Sequence, residues 1–229
     1  LGSIRMRCWK SSAAAGRRMP EMGLIVKDAH KRYAEKIVLD GFSLRFPDRG
    51  TVCLFGPSGC GKTTLLNCIA GLEALDSGEI ARDGIRRISY LFQEDRLLPW
   101  ACALKNVAAV LPGKGRENLR AASRWLRRAG LEGEDQQKLP AQLSGGMRRR
   151  VAIARALAYG GDLFLLDEPF QALDEKAKLR EIALFRAQAA ESLTVFITHD
   201  RREAGLLADV VYCLEGPPMR IVSEKTASH

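Results

Sequence analysis

The sequence predicts an α/β fold: a mainly parallel sheet covered on both faces, with a helical block inserted near the middle of the chain. Three observations carry this. Short apolar runs recur at Thr51–Phe55, Leu163–Leu166 and Leu193–Thr198, as expected of strands buried on both faces. Helical stretches separate them, as crossovers between parallel strands require. Between Ala101 and Ala158 the apolar spacing changes to threes and fours, the period of amphipathic helices.

Element by element, Leu24–Lys27 and Ile37–Phe46 read as strands before the turn Pro47-Asp48-Arg49-Gly50. The buried strand Thr51–Phe55 runs into a glycine-rich loop and a helix over Lys62–Ala70. Glu79–Ala81 and Ile88–Phe92 are further strands. In the helical block, Leu119, Ala122, Leu126 and Ala129 mark one helix face, with Arg120, Arg124, Arg127 and Arg128 largely off it. Met147, Val151, Ala154 and Ala158 mark the apolar face of another helix. Leu163–Leu166 is a strand, Glu175–Ala190 a helix and Leu193–Thr198 a strand, and Val210–Leu214 and Met219–Val222 close the fold.

The chain has 229 residues, 46% of them apolar, enough for one sizeable core with a second lobe. No apolar run approaches the roughly 18 residues of a membrane-spanning helix. The net charge of +9 points first to a nucleic acid or an anionic membrane. Five of those charges (Arg5, Arg7, Lys10, Arg17, Arg18) fall in the first twenty residues, which contain no acid. Residues 1–22 are therefore expected to be a basic, flexible extension without the apolar stretch of a secretory signal, and 223–229 a short tail. The six cysteines form no CxxC pair and sit mostly among apolar neighbours, the pattern of reduced thiols.

Gly56-Pro57-Ser58-Gly59-Cys60-Gly61-Lys62-Thr63 fits G-x-x-x-x-G-K-[ST] at every fixed position, between a buried strand and a helix. Glycines let backbone N–H groups turn onto phosphate oxygens, and the helix adds the positive end of its dipole. Lys62 is placed to reach the terminal phosphates, Thr63 to offer its hydroxyl to Mg²⁺, and Thr64 continues the loop. Cys60 reads either as a small residue filling a tight loop or as an oxidisable thiol beside a helix start.

The strand Leu163–Leu166 ends in Asp167-Glu168. Alternation along a strand points these acids to opposite sides, so they suit different tasks: Asp167 to hold Mg²⁺, Glu168 to act as general base on water. A second anion-binding turn opens the helix after Leu143, where Ser144 suits the N-cap and Gly145 and Gly146 leave N–H groups free. Two such helix ends for one nucleotide suggest a site shared between two chains.

With Leu143-Ser144-Gly145-Gly146-Met147 the set resembles the ATP-binding subunits of ABC transporters, whose signature motif this looks like. Further landmarks follow in order: Tyr33 where the family stacks an aromatic on adenine; Gln93, matching a glutamine that contacts Mg²⁺ and water; Ala172-Leu173-Asp174, matching a loop that crosses the dimer interface; and His199, matching a histidine that contacts the γ-phosphate. The resemblance covers about Gly23 to Val222 as one ATPase domain. It implies a P-loop NTPase fold with a RecA-like core, an antiparallel β subdomain and a helical subdomain over about 94–160. It implies ATP and Mg²⁺ as ligands, a head-to-tail homodimer, transmembrane permease subunits and, indirectly, a periplasmic or surface solute-binding protein. It also implies a peripheral position on the cytoplasmic face of the plasma membrane, with Lys62, Glu168 and His199 in the catalytic roles and no nucleic acid partner.

Phe92-Gln93-Glu94-Asp95-Arg96-Leu97-Leu98-Pro99-Trp100 and the stretch Glu215–Val222 are similar to importer ATPases of the nitrate, sulfonate and taurine group. By that likeness Leu98 and Trp100 are either permease contacts or packing for the helical block. Arg149 stands where the family usually has glutamine, and reads as added charge near the shared site. The other functions compatible with these motifs are the ATPase of a two-component ABC exporter and a soluble ABC ATPase acting on nucleic acid or ribosomes. A small-molecule kinase would leave the signature motif without a role. Lys114 to Arg128 holds six basic residues against Glu117, and by the resemblance this charge faces anionic lipid.

Overall fold

The computed structural model describes residues 23–113 and 115–226. The expected basic extension over 1–22, Lys114 and the last three residues of the expected tail lie outside the described residues.

Two sheets form. β1 (Gly23–Tyr33), β2 (Lys36–Arg45) and β4 (Ser77–Asp83) make an antiparallel sheet in the order β2-β1-β4. β3 (Gly50–Phe55), β5 (Ile88–Leu91), β6 (Leu163–Asp167), β7 (Leu193–Thr198), β8 (Val210–Glu215) and β9 (Arg220–Thr226) make the central sheet, in the order β5-β6-β7-β3-β8-β9. Its strands are parallel except β9, which returns antiparallel to β8. α1 (Lys62–Ala70) follows β3. α2 (Ala103–Ala108), α3 (Arg116–Arg128) and α4 (Gly145–Tyr159) form the inserted helical block, with 3₁₀ turns at Gly133–Gln137 and Pro140–Gln142. α5 (Glu175–Ala189) and α6 (Arg201–Leu207) flank β7.

The apolar runs are sorted by the strand period of two. Val52, Leu54, Leu163, Leu165, Val195 and Ile197 face α1 and the antiparallel sheet, where Leu24, Val26 and Leu39 complete one cluster. Cys53, Phe164, Leu166 and Phe196 face the other way, onto Ile153, Phe185 and Leu207. The helical block has its own cluster of Val107, Ala122, Leu126, Leu131, Val151 and Ala154. α4 thus serves two clusters, Ile153 on the sheet side and Val151 and Ala154 on the helical side, and so ties the block to the sheet.

Four sequence readings are corrected. β1 continues to Tyr33 because bulges, one beside Asp28 at φ 49°, carry pairing past the polar stretch Lys27-Asp28. β9 extends beyond Val222 because β8 offers a partner as far as Val210, opposite Thr226. Leu119, in the first turn of α3, is exposed and not part of its buried face. α6 was not anticipated, although Asp200 and Glu203 are spaced as a capping pair; Asp200 accepts from the Arg202 N–H at 2.7 Å. Along α3, Arg116, Arg120, Arg124, Arg127 and Arg128 are exposed, with Arg128 over the Trp125 ring at 4.5 Å.

Glu181 on α5 is fully buried, and neither carboxylate oxygen has a hydrogen-bond partner. Burial pushes its carboxyl up to about 8, against the nearby charges of Arg180 and Arg150. The folded state therefore holds a proton that the unfolded chain, titrating near 4.5, releases. Stability is lost as pH rises between these values, at up to about 1.4 kcal/mol per pH unit from this group. Glu181→Gln should remove that component: urea unfolding should show the variant gaining on the wild type between pH 5 and pH 8.

Candidate functional site

Register along the central sheet brings the predicted residues to one edge. Phe55 lies opposite Thr198, Ile197 opposite Asp167, and Leu166 opposite Leu91. The segments that leave β3, β5, β6 and β7 therefore emerge side by side, beyond the carboxyl ends of the strands, where ligands bind in open α/β sheets. They hold Gly56–Thr64, Gln93, Asp167-Glu168 and His199.

The loop after β3 closes tightly. Gly61, the N-cap of α1, sits at φ 111°, and a Cβ there would lie 2.6 Å from Val38 Cγ1. A Cβ on Gly56 would meet the Leu214 carbonyl at 2.5 Å. No side chain caps α1 and no acid occupies its first turn, so the N–H groups of Ser58–Thr63 form a cradle suited to phosphate oxygens. The Lys62 ammonium donates to the Gly56 and Pro57 carbonyls at 2.9 and 2.7 Å, and to Cys60 Sγ at 3.6 Å. Cys60 is fully buried, in keeping with the loop-filling reading and against ready oxidation.

Thr63 Oγ1 donates to Asp167 Oδ2 at 2.8 Å, joining α1 to the end of β6. Burial raises the Asp167 carboxyl above the ordinary carboxylate range, with the Thr63 bond acting against it. A hydroxyl beside a carboxylate next to a phosphate cradle is a hard-oxygen set that suits Mg²⁺. Gln93, on the loop after β5, is exposed.

Glu168 departs from the expected alternation. It lies just past the strand at φ 46°, a left-handed conformation costing about 1–2 kcal/mol for a residue with a Cβ. Its N–H donates to Ile197 O at 3.2 Å, and its carboxylate Oε1 faces His199 Nδ1 at 3.4 Å. The His199 side chain is 68% exposed, which leaves it open to a ligand.

Tyr33, at the end of β1, donates its hydroxyl to the Glu73 carboxylate, with the Thr64 side chain beside it. Its half-exposed ring therefore stands beside the residue that follows Thr63. Burial and Glu73 raise its phenol above the ordinary value.

The turn before α4 is also in place. Ser144 Oγ accepts from the Met147 N–H at 3.2 Å, and a Cβ on Gly146 would lie 2.9 Å from the Ala172 carbonyl, so glycine permits this close approach. Gly145 lies beside it under ordinary contact. Ala172 is itself at φ 63°. The Asp174 carboxylate caps α5 through the Ala177 N–H at 2.8 Å. Among the described residues, no hydrogen bond or ion pair joins Ser144–Gly146 to the loop after β3. Trp100 is 76% exposed, which removes the alternative that it packs the helical block.

The family model described as ABC transporter matches residues 39–171. This chain belongs to the ABC transporter family. Among ABC relatives, the sulfate/thiosulfate import ATP-binding protein of Burkholderia mallei is 40% identical over 84% of this chain and 60% of its own length. The aliphatic sulfonates import ATP-binding protein of Ralstonia nicotianae is 42% identical over 88% and 73%. The taurine import ATP-binding protein of Rhizobium johnstonii is 41% identical over 84% and 78%. The chain thus spans about three fifths of the length of the sulfate/thiosulfate relative. The dimeric, post-hydrolysis structure of the ATP-binding cassette MJ0796 bound to ADP and Pi superposes with a TM-score of 0.81 at 29% identity, covering 90% of this chain and 99% of that one.

Two features of this ABC fold escaped the sequence reading. Arg149 points inward, only 2% exposed, and donates to backbone carbonyls of the loops after β5 and β6; it adds no open charge at the Ser144 turn. Behind His199, Lys178 of α5 contacts Glu203 at 2.8 Å and Asp200 at 3.6 Å. Glu203 accepts from Thr198 Oγ1 at 2.5 Å, and that hydroxyl accepts from the Asp200 N–H at 3.0 Å. The Glu203 contact holds the Lys178 ammonium above its ordinary value. Glu203→Ala should cost about 2 kcal/mol in urea unfolding, because it leaves Lys178 with only its longer contact to Asp200 and takes the acceptor from the buried Thr198 hydroxyl.

Proposed function

We infer that this chain is the ATP-binding subunit of an ABC importer, hydrolysing Mg-ATP in a head-to-tail homodimer to drive a transmembrane permease. The observation that carries this is the gathering of the phosphate cradle, Asp167, Glu168 and His199 at one sheet edge, while the Ser144 turn lies apart from the cradle in the same chain. A turn built like an anion site but without a ligand-bearing neighbour in its own chain suits a nucleotide held by a second copy. The dimeric cassette structure it resembles supports the same arrangement.

In this reading the N–H groups of Ser58–Thr64 and the Lys62 ammonium bind the phosphates, with phosphate oxygens taking over the bonds Lys62 makes to loop carbonyls. Tyr33 offers its ring to adenine. Thr63 and Asp167, together with Gln93, would hold Mg²⁺, which would supply charge neutralisation at the phosphates. Glu168 accepts a proton from water as the water oxygen attacks the γ-phosphorus and the bond to ADP breaks. His199 steadies the Glu168 carboxylate and contacts the γ-phosphate. Ser144, Gly145 and Gly146 of the second copy close over the nucleotide, and Asp174 lies on the loop at the interface.

The solute is an anion of the sulfate, sulfonate or taurine kind, as the names of the relatives support, delivered by a solute-binding protein. No described helix is long and apolar enough to cross a membrane. Exposed Trp100 suits an apolar permease contact. The arginines of α3 suit anionic lipid at the cytoplasmic face, and no nucleic acid partner is invoked.

Glu168→Gln should keep ATP binding, abolish phosphate release and trap an ATP-dependent dimer on gel filtration. Adding Ser144→Arg should return that dimer to monomer with ATP still bound. Continued phosphate release from Glu168→Gln would remove the general-base role, and a persisting dimer in the double variant would remove the shared site. Binding of the isolated chain to anionic vesicles should weaken between about 0.1 and 0.5 M salt if the α3 arginines face lipid; salt-independent binding would count against it.

A further inference from the structure

The guanidinium of Arg149 is the most heavily bonded side-chain group at the site, yet it touches no position that a nucleotide would occupy. Nε donates to Pro169 O at 2.8 Å. Nη1 donates to Phe92 O at 2.7 Å and Gln93 O at 3.1 Å, with Asp95 Oδ1 at 3.4 Å. Nη2 donates to Asp167 O at 2.9 Å and Glu168 O at 2.6 Å. One planar fork thus gathers five carbonyls from two loops.

The two Nη2 bonds are the telling pair. Asp167 O belongs to the peptide before the Glu168 Cα, and Glu168 O to the peptide after it. A single nitrogen pins both peptides that flank this residue, and the residue sits in a left-handed conformation that the chain does not adopt unaided. Nη1 does the same service on the other loop, at Gln93. The donor itself stands on α4, five residues after Ser144, about 7.5 Å along the same rigid helix. Burial lowers the Arg149 pKa and Asp95 opposes that, and an arginine keeps its charge under such a burden where a lysine would not.

We propose that Arg149 is a positioning residue for ATP hydrolysis: it sets the backbone of Glu168 and of Gln93 together, and couples both to the helix that begins at the Ser144 turn. The inference rests on the reading of Glu168 as general base. A lysine cannot substitute, because its three donors radiate from one atom and cannot span Pro169, Phe92 and Glu168 at once.

The test uses steady-state ATP hydrolysis by the full chain, with binding of a fluorescent ATP analogue and thermal unfolding measured alongside. Arg149→Ala should lower kcat by about tenfold or more, since small displacements of a catalytic group are costly, while KM and analogue affinity stay within about threefold. Arg149→Lys should be equally slow. Millimolar guanidinium should restore part of the Arg149→Ala rate, and ammonium at the same ionic strength should not. If Arg149→Ala does not fold, Arg149→Met, which keeps most of the volume and offers no donor, carries the same comparison of kcat against KM. A smaller fall in kcat, a parallel loss of nucleotide affinity, or a rate unmoved by guanidinium would overturn the proposal. A wild type without ATPase activity, or an active Glu168→Gln, would instead overturn the reading of Glu168 itself.

Discussion

Everything at the site depends on the shared direction of β3, β6 and β7. Parallel strands in register deliver their carboxyl ends to one edge, and the pairing of Phe55 with Thr198 and of Asp167 with Ile197 fixes how far each following loop projects. A slip of one residue in β6 would turn Asp167 away from Thr63, and the 2.8 Å bond between them would be lost. The hydrophobic sorting of alternate residues to two clusters guards that register, because any slip would exchange the α1 face for the α5 face. The chemistry of the edge is thus held in place by apolar packing some distance behind it.

Much of this was legible from residue order. The glycine loop, the acidic pair and the serine-glycine turn each carry a local physical signature, and the structure places the first two at one edge. What was not legible has identifiable causes. Arg149 looked like an extra charge because sequence shows a side chain's type and not its direction; only the fold shows that the carbonyls of Phe92, Asp167, Glu168 and Pro169 converge where its fork ends. Glu168 was expected to alternate with Asp167, but the strand stops one residue earlier, and the left-handed backbone re-aims the carboxylate toward His199.

α6 is a different kind of miss, since its capping pair was present in the sequence. Seven residues with few large apolar side chains hold too weak a periodicity to announce a helix. It is held by Ala204 and Leu207 in the sheet-side cluster and by Lys178, more than twenty residues upstream, through Glu203. The helical block shows the reverse case. Its spacing was legible because it packs a cluster of its own, while α4, with Trp125 of α3 beside it, reaches across to the sheet.

The strand order has a consequence for how the chain comes to be folded. The antiparallel sheet of β1, β2 and β4 can assemble before residue 84, its widest pairing being that of Gly23 with Asp83. β3 cannot: both its partners, β7 and β8, lie about 140 to 160 residues further on. During synthesis the strand that feeds the phosphate cradle therefore emerges early and waits, apolar on both faces, for the last quarter of the chain. Completion of the central sheet is a late, long-range event, and until then β3 is the segment most in need of protection from pairing with other chains.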